Sequence, residues 1–369
     1  MSATASKATR PDHDVGAERH DVAPVPLPST GLRPAWLAGG VVALAAACVV
    51  AIVAGPVDLP LTQIVGAALD RLPFADVPAD LTTRDSAILW QVRLPRVALG
   101  GLVGAMLAAA GAGYQGVFRN PLADPYLLGI AAGAGVGATL SIAYLPSTSG
   151  WWIDPLPLAA FVGALAGVAT TYLLSRSVGG ERDTVSLILA GVAVAAFFTA
   201  VQTFVQQRES DSLRLVYTWL LGRLATTGWN EVLLILPYVT VAAAVLLAHR
   251  RLLDVLSVGD REAVALGVSV ARVRLVVVVA ASLGTAAAVA VSGLIGFVGI
   301  IVPHTVRLIT GSSYRNVLPL SLLFGAALLI LADLVARVLL APAEIPIGVV
   351  TAFIGAPFFA WVLRHRRTP

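Results

Sequence analysis

Arginines, rather than nucleophiles or metal ligands, are the residues here whose spacing suits a chemical task. Arg93-Leu-Pro-Arg96 sets two guanidinium groups three residues apart, and Ala332-Asp-Leu-Val-Ala-Arg337 puts Asp333 one helical turn from Arg337. A guanidinium fork meets a carboxylate through two parallel hydrogen bonds, so such groups recognise an acidic partner and fix its register. Two plainer readings compete: arginines snorkelling at an apolar boundary and, for Arg337, an i,i+4 pair with Asp333. Catalysis finds little to use. Lys7 is the sole lysine, so no G-x-x-x-x-G-K-[ST] phosphate loop exists. His13, His20, His249, His304 and His365 are scattered, which leaves neither H-E-x-x-H nor a metal-ligand cluster, and no metal site is expected. No G-x-S-x-G elbow occurs. His304 follows Pro303 and tempts as a haem ligand, but a lone histidine beside a helix break is more often structural.

The elements that position these groups are long apolar runs. The 369 residues are 57% hydrophobic and only 12% charged, against about 25% charged in an ordinary soluble domain. That balance describes a polytopic membrane protein with one membrane domain, 35–366, preceded by a polar, proline-containing tail, 1–34, expected to be disordered and cytoplasmic. Ten spans are expected: 35–55, 95–116, 127–145, 156–176, 185–206, 230–248, 274–293, 295–309, 317–340 and 347–363. The eighth is short for a full crossing and runs obliquely or broken. Ala45-Ala-Ala-Cys48 loosely resembles a lipoprotein cleavage site, yet the apolar sequence continues past it to Gly55 and favours an uncleaved first span. The inner segments hold about twice as many Arg and Lys as the outer ones, placing both termini in the cytoplasm.

Within the spans, Gly100/Gly104 and Gly129/Gly133/Gly137 recur at four-residue spacing, which lets helix backbones approach closely in lipid. The 250–274 segment is long for a connection. Gly259 and Gly267 divide it into short amphipathic pieces. Asn120-Pro121-Leu122 breaks the chain after the second span, and Thr184-Val185 opens the fifth at the same level. Gln202, Gln206, Gln207 and Tyr217 follow toward the outer side, either as the lining of a wide polar conduit or as surface residues. Scarce buried acids argue against an ion-driven transporter, and missing acid or histidine clusters argue against a membrane-embedded enzyme.

Seven segments in order carry a family resemblance: Arg93-Leu-Pro-Arg96, Gln115 to Gly129, Leu189-Ala-Gly-Val192, 250–274, Gly293 to His304, Ala332 to Arg337, and Glu344 to Phe358. Over about 36–366 the chain resembles the FecCD family of binding-protein-dependent ABC importer permeases. The resemblance implies an all-α subunit of ten transmembrane helices with the type II importer permease fold, located in the cytoplasmic (inner) membrane. It implies pairing with a second permease, a copy or a paralogue, around a central pathway. Two cytoplasmic ATPase subunits carry ATP and Mg, with no cofactor on this chain, and a soluble binding protein docks outside; no nucleic acid is implied. The expected cargo is a ferric siderophore, ahead of cobalamin and haem. By resemblance to the family's cobalamin permease, Arg93, Arg96 and Arg337 meet carboxylates of the binding protein. Leu256, Asp260, Glu262, Ala265, Leu266 and Gly267 contact the ATPase. Asn120, Leu122, Thr184 and Val185 form inner gates, with Val185 departing from the small hydroxyl residue found in that relative.

Overall fold

A computed structural model describes residues 32–55, 57, 59–71, 81–145, 154–178, 184–224 and 228–365. The polar stretch 1–31 and the Trp151-Trp152 pair lie outside the described residues. Among the described residues every regular element is helical. In chain order they are α1 (Pro34–Val53), α2 (Leu61–Asp70), α3 (Thr83–Ala87), α4 (Leu94–Val117), α5 (Ile130–Tyr144), α6 (Pro155–Val178) and α7 (Thr184–Arg208). They continue with α8 (Leu213–Leu220), α9 (Asn230–Val258), α10 (Asp260–Ala265), α11 (Val270–Ser292), α12 (Val298–Thr310), α13 (Tyr314–Val338) and α14 (Ile347–His365).

Among the described residues seven helical stretches are long and apolar enough to cross a bilayer, and α5, α12 and α14 are shorter apolar helices, so all ten expected spans are present as helices. Their ends differ from expectation where the helix outlasts the lipid. The second span extends outward as one rod from Thr83, because α3 and α4 are joined by a π-helical turn over Ile88–Arg93. The sixth runs inward past Arg250 and Arg251 to Val258, since a helix keeps its ladder once outside the membrane. The amphipathic helices α2 and α8 lie between the spans and were not anticipated.

α4 is the central post. Nearly all of it is buried, and it packs against α9, α11, α12 and α13. Its Gly/Ala-rich sequence makes this possible: a Cβ on Gly104 would overlap the Gly325 carbonyl of α13, and one on Gly111 the Gly299 carbonyl of α12. α5 and α6 meet in the same way through Gly133 and Gly163. Van der Waals approach of backbones replaces the hydrophobic effect as the cohesive term between helices in lipid. Pro34 starts α1 at a position where its missing N–H costs nothing.

The eighth span is short, as expected, but α12 is itself uninterrupted and the irregular backbone precedes it. Gly293 (φ 67°) and Phe297 (φ 69°) bracket a non-helical run from which α12 emerges. Backbone without a helical ladder needs other partners at membrane depth. The Tyr126 hydroxyl donates to the Ile295 carbonyl at 3.0 Å and accepts from the Ile295 N–H at 3.0 Å. The Arg223 N–H donates to the Ser292 carbonyl, while Ile347 N–H and Gly348 N–H donate to the carbonyls of Gly222 and Leu221. The irregular segments 221–224 and 293–297 and the start of α14 are thereby knitted together beside a groove of about 550 Å³.

Candidate docking face, coupling knob and pathway

At the outer end of α4 the three arginines have unlike surroundings. The π turn aims Arg93 inward, where it is 3% exposed and its Nη1 donates to the carbonyls of Ile52 (2.7 Å) and Val53 (3.0 Å) while Nη2 reaches that of Val57. A cation there satisfies the orphan carbonyls at the C-terminus of α1 and offsets the negative end of its dipole. Arg337 is 5% exposed, with Nε 3.0 Å from Asp333 Oδ2 and Nη2 donating to the Ala51 carbonyl at 3.3 Å. The docking role expected for Arg93 and Arg337 therefore needs correction in this conformation: both guanidinium groups are consumed inside the fold. The i,i+4 alternative for Arg337 is the geometry found.

Arg96 differs. Its Nε and Nη2 grip Asp333 Oδ1 at 3.0 and 2.9 Å, and its Nη1 and Nη2 grip Glu344 Oε1 and Oε2 at 2.8 and 3.0 Å. Asp333 is enclosed, but the Glu344 side chain is 52% exposed, on the connection between α13 and α14. The hydrogen bond from Arg96 holds the Glu344 carboxyl below the usual carboxylate range, against a smaller opposing effect of burial.

On the inner side α10 forms a projecting knob. Gly267 (φ 79°) closes it in a Schellman cap, with Val268 N–H donating to the Ala263 carbonyl and Gly267 N–H to that of Val264, both at 2.9 Å. Ala263 is buried beneath, while Glu262, Val264, Ala265, Leu266 and Gly267 are exposed at the tip. Leu256 is 1% exposed and belongs to the core, so its expected place at the contact surface is corrected. Asp260 faces Arg274 (3.3 Å) and Arg119 (3.4 Å) rather than standing clear at the tip. Arg119 is a non-glycine residue at φ 49°, directly before Asn120.

Asn120 Oδ1 accepts from the Leu122 N–H at 3.0 Å, an Asx turn that ends the helix and shapes the Asn120-Pro121-Leu122 break. Val185 is 62% exposed at the start of α7, and the Thr184 side chain lies outside the described residues. Gln202 and Gln206 are each 8% exposed, and Gln202 packs on Gly135 of α5. Gln202 thus seats α7 on α5, and the burial of both glutamines within this chain corrects their expected role as an open lining. His304 is buried edge-on to Phe358 at 5.8 Å between ring centroids.

The profile of the FecCD transport family matches residues 43–365. This chain belongs to that family. The cobalamin import system permease protein of Halobacterium salinarum is 46% identical over 76% of this chain and 74% of its own length. The Fe(3+) dicitrate transport system permease protein FecD of Escherichia coli is 39% identical over 76% of this chain and 86% of its own. A solved inward-facing structure of a putative metal-chelate type ABC transporter superposes with a TM-score of 0.77 at 31% identity, covering 90% of this chain and all of that one. The protein is thus a multi-pass permease of the inner membrane, and transport rather than bond chemistry is its work.

This FecCD chain also holds a network that pattern reading passed over. Buried Gln115 donates through Nε2 to the carbonyls of Ala123 (3.3 Å) and Gly299 (3.0 Å) and accepts from Arg307 Nη1 at 2.5 Å. Asp254 caps α13 by accepting from Ser313 Oγ (2.9 Å) and the Tyr314 N–H (2.5 Å). The available signal was a lone polar residue, Gln115, at the end of an otherwise Gly/Ala helix.

Proposed function

We propose that this FecCD permease is half of an ATP-driven importer for a ferric siderophore. Two permeases, copies or paralogues, pair around the pathway; two separate ATPase subunits carry ATP and Mg, and this chain carries no cofactor. A soluble binding protein delivers the chelate from outside. The observation that carries the reading is the α10 knob: an apolar tip, Val264 and Leu266, held out on the inner side by a glycine-dependent cap in a chain with no phosphate loop. Such a tip has no fold to stabilise in its own chain and suits a cleft on a cytoplasmic engine. At the outer face Arg96 is the carboxylate-binding group, Arg337 shares its partner Asp333, and Arg93 holds the end of α1. At the inner face Asn120, Leu122 and Val185 stand where a constriction closes by excluding water.

A second reading, cobalamin as cargo, is favoured by the 46% identity to the cobalamin permease of Halobacterium salinarum. Uptake of a radiolabelled ferric siderophore, cobalamin and haem by cells with and without the gene separates them. Loss of ferric-chelate uptake alone supports the first reading, and loss of cobalamin uptake alone replaces it. Failure of an ATPase subunit to co-purify with the chain in mild detergent refutes both.

A further inference from the structure

Arg96 presents two edges, and both are occupied. Asp333, with a side chain 4% exposed, holds the Nε/Nη2 edge and is shared with Arg337 at 3.0 Å. Glu344 holds the Nη1/Nη2 edge from a side chain 52% exposed. A guanidinium has five N–H donors, and four of those on Arg96 are engaged: Nε–H and one Nη2–H on Asp333, the other Nη2–H and one Nη1–H on Glu344. One free Nη1–H cannot receive a second carboxylate in the bidentate manner. An acidic side chain arriving from outside must take the edge Glu344 now fills, because the Asp333 edge faces the helix packing.

We infer that Glu344 is an internal stand-in for the binding protein's carboxylate, so that docking at Arg96 is an exchange of one carboxylate for another. This deepens the docking reading given above and rests on it. The exchange also has somewhere to go. Beyond Glu344 the chain is held by Ile345 N–H on the Ala336 carbonyl, then by Ile347 N–H and Gly348 N–H on Gly222 and Leu221, where α14 begins at the groove wall. Displacing Glu344 removes a side-chain anchor of the connection that carries α14. Partner arrival outside is thus transmitted to α14 and the groove beside it. Because one charged pair replaces another, the net gain of docking at this arginine is small, and an importer that must release its binding protein each cycle needs such a balance.

The test titrates the cognate binding protein onto the permease assembled with its ATPase subunits in nanodiscs, comparing wild type, Glu344→Gln, Arg96→Gln and the double variant. Glu344→Gln removes a competitor worth one partly exposed ion pair, so docking should tighten about two- to five-fold. In the Arg96→Gln background the same change should do nothing, since the contested edge is gone. Glu344→Ala repeats the comparison without an amide that still accepts from Arg96. Unchanged or weaker docking of both Glu344 variants overturns the exchange, as does an equal shift in the two Arg96 backgrounds, which marks a merely structural loop effect. If Arg96→Gln itself leaves affinity untouched, the docking reading falls and the exchange with it; if Arg96→Gln weakens docking while the Glu344 variants do not tighten it, only the exchange falls.

Discussion

At the scale of single residues, the outer arginines show how one side-chain type divides its labour by surroundings. Arg93 spends its donors on the carbonyls that end α1, so Arg93→Gln orphans them and removes charge-assisted bonds. Hydrogen bonds to a charged group contribute about 1.5–3 kcal/mol each way of counting, and a loss of about 2–3 kcal/mol in thermal unfolding of the detergent-solubilised protein is expected. A midpoint unchanged from wild type would show that the capping bonds are dispensable. Glu344 adds a pH dependence whose sign follows from its lowered carboxyl. The bond to Arg96 contributes fully above the ordinary glutamate value and is lost as pH falls through the depressed folded value. Thermal stability of wild type should therefore fall more steeply than that of Glu344→Gln on the acid side and run parallel to it near neutrality; parallel curves throughout would contradict the assignment.

At the scale of elements, the α10 knob depends on Gly267. Among the described residues nothing lies within 4 Å of a Cβ placed there, but φ of 79° is left-handed and strains an ordinary side chain. That cost is about 1–2 kcal/mol, enough to shift a seated conformation by about five- to thirty-fold. Gly267→Ala should lower the ratio of uptake to ATP hydrolysis by such a factor, and Gly267→Asn, which tolerates the left-handed region, should lower it less. Equal coupling in glycine, alanine and asparagine forms would sink the cap argument. The elements also show what a linear pattern does and does not display. Ten spans and the shortness of the eighth were readable because apolar length and the Gly293–His304 punctuation are local properties. The glycine spacing in the second and third spans foretold backbone contact, and Gly104 and Gly133 make it. The inward aim of Arg93 was not readable, since it hangs on a π turn that no propensity marks. Leu256, Gln202 and Gln206 were misplaced because the covered face of α9 or α7 depends on the helices packed against it, which the sequence of one helix does not carry. Glu344 lies 248 residues from Arg96 in sequence, so their pairing exists only in three dimensions.

At the scale of the whole molecule, irregular backbone decides which flank faces lipid. The irregular segments 221–224 and 293–297 meet the start of α14 at a groove lined by Leu220, Leu221, Leu294, Gly348 and Phe353. Lipid cannot satisfy backbone groups, so non-helical chain at membrane depth belongs against protein or a water-filled path. α1, by contrast, is regular and apolar all round, with Val42 66% exposed, as a lipid-facing helix should be. Phe353, 78% exposed on the groove side, is therefore the residue that the proposed pairing of two permeases would cover. The single cysteine makes this testable in one clean background. With Cys48→Ser in place, Phe353→Cys should give a thiol cross-linked permease dimer in membranes carrying the assembled transporter, and Val42→Cys should not. A cross-link from Val42→Cys with none from Phe353→Cys would move the pairing surface to the α1 flank, where the regular backbone gives no reason for one.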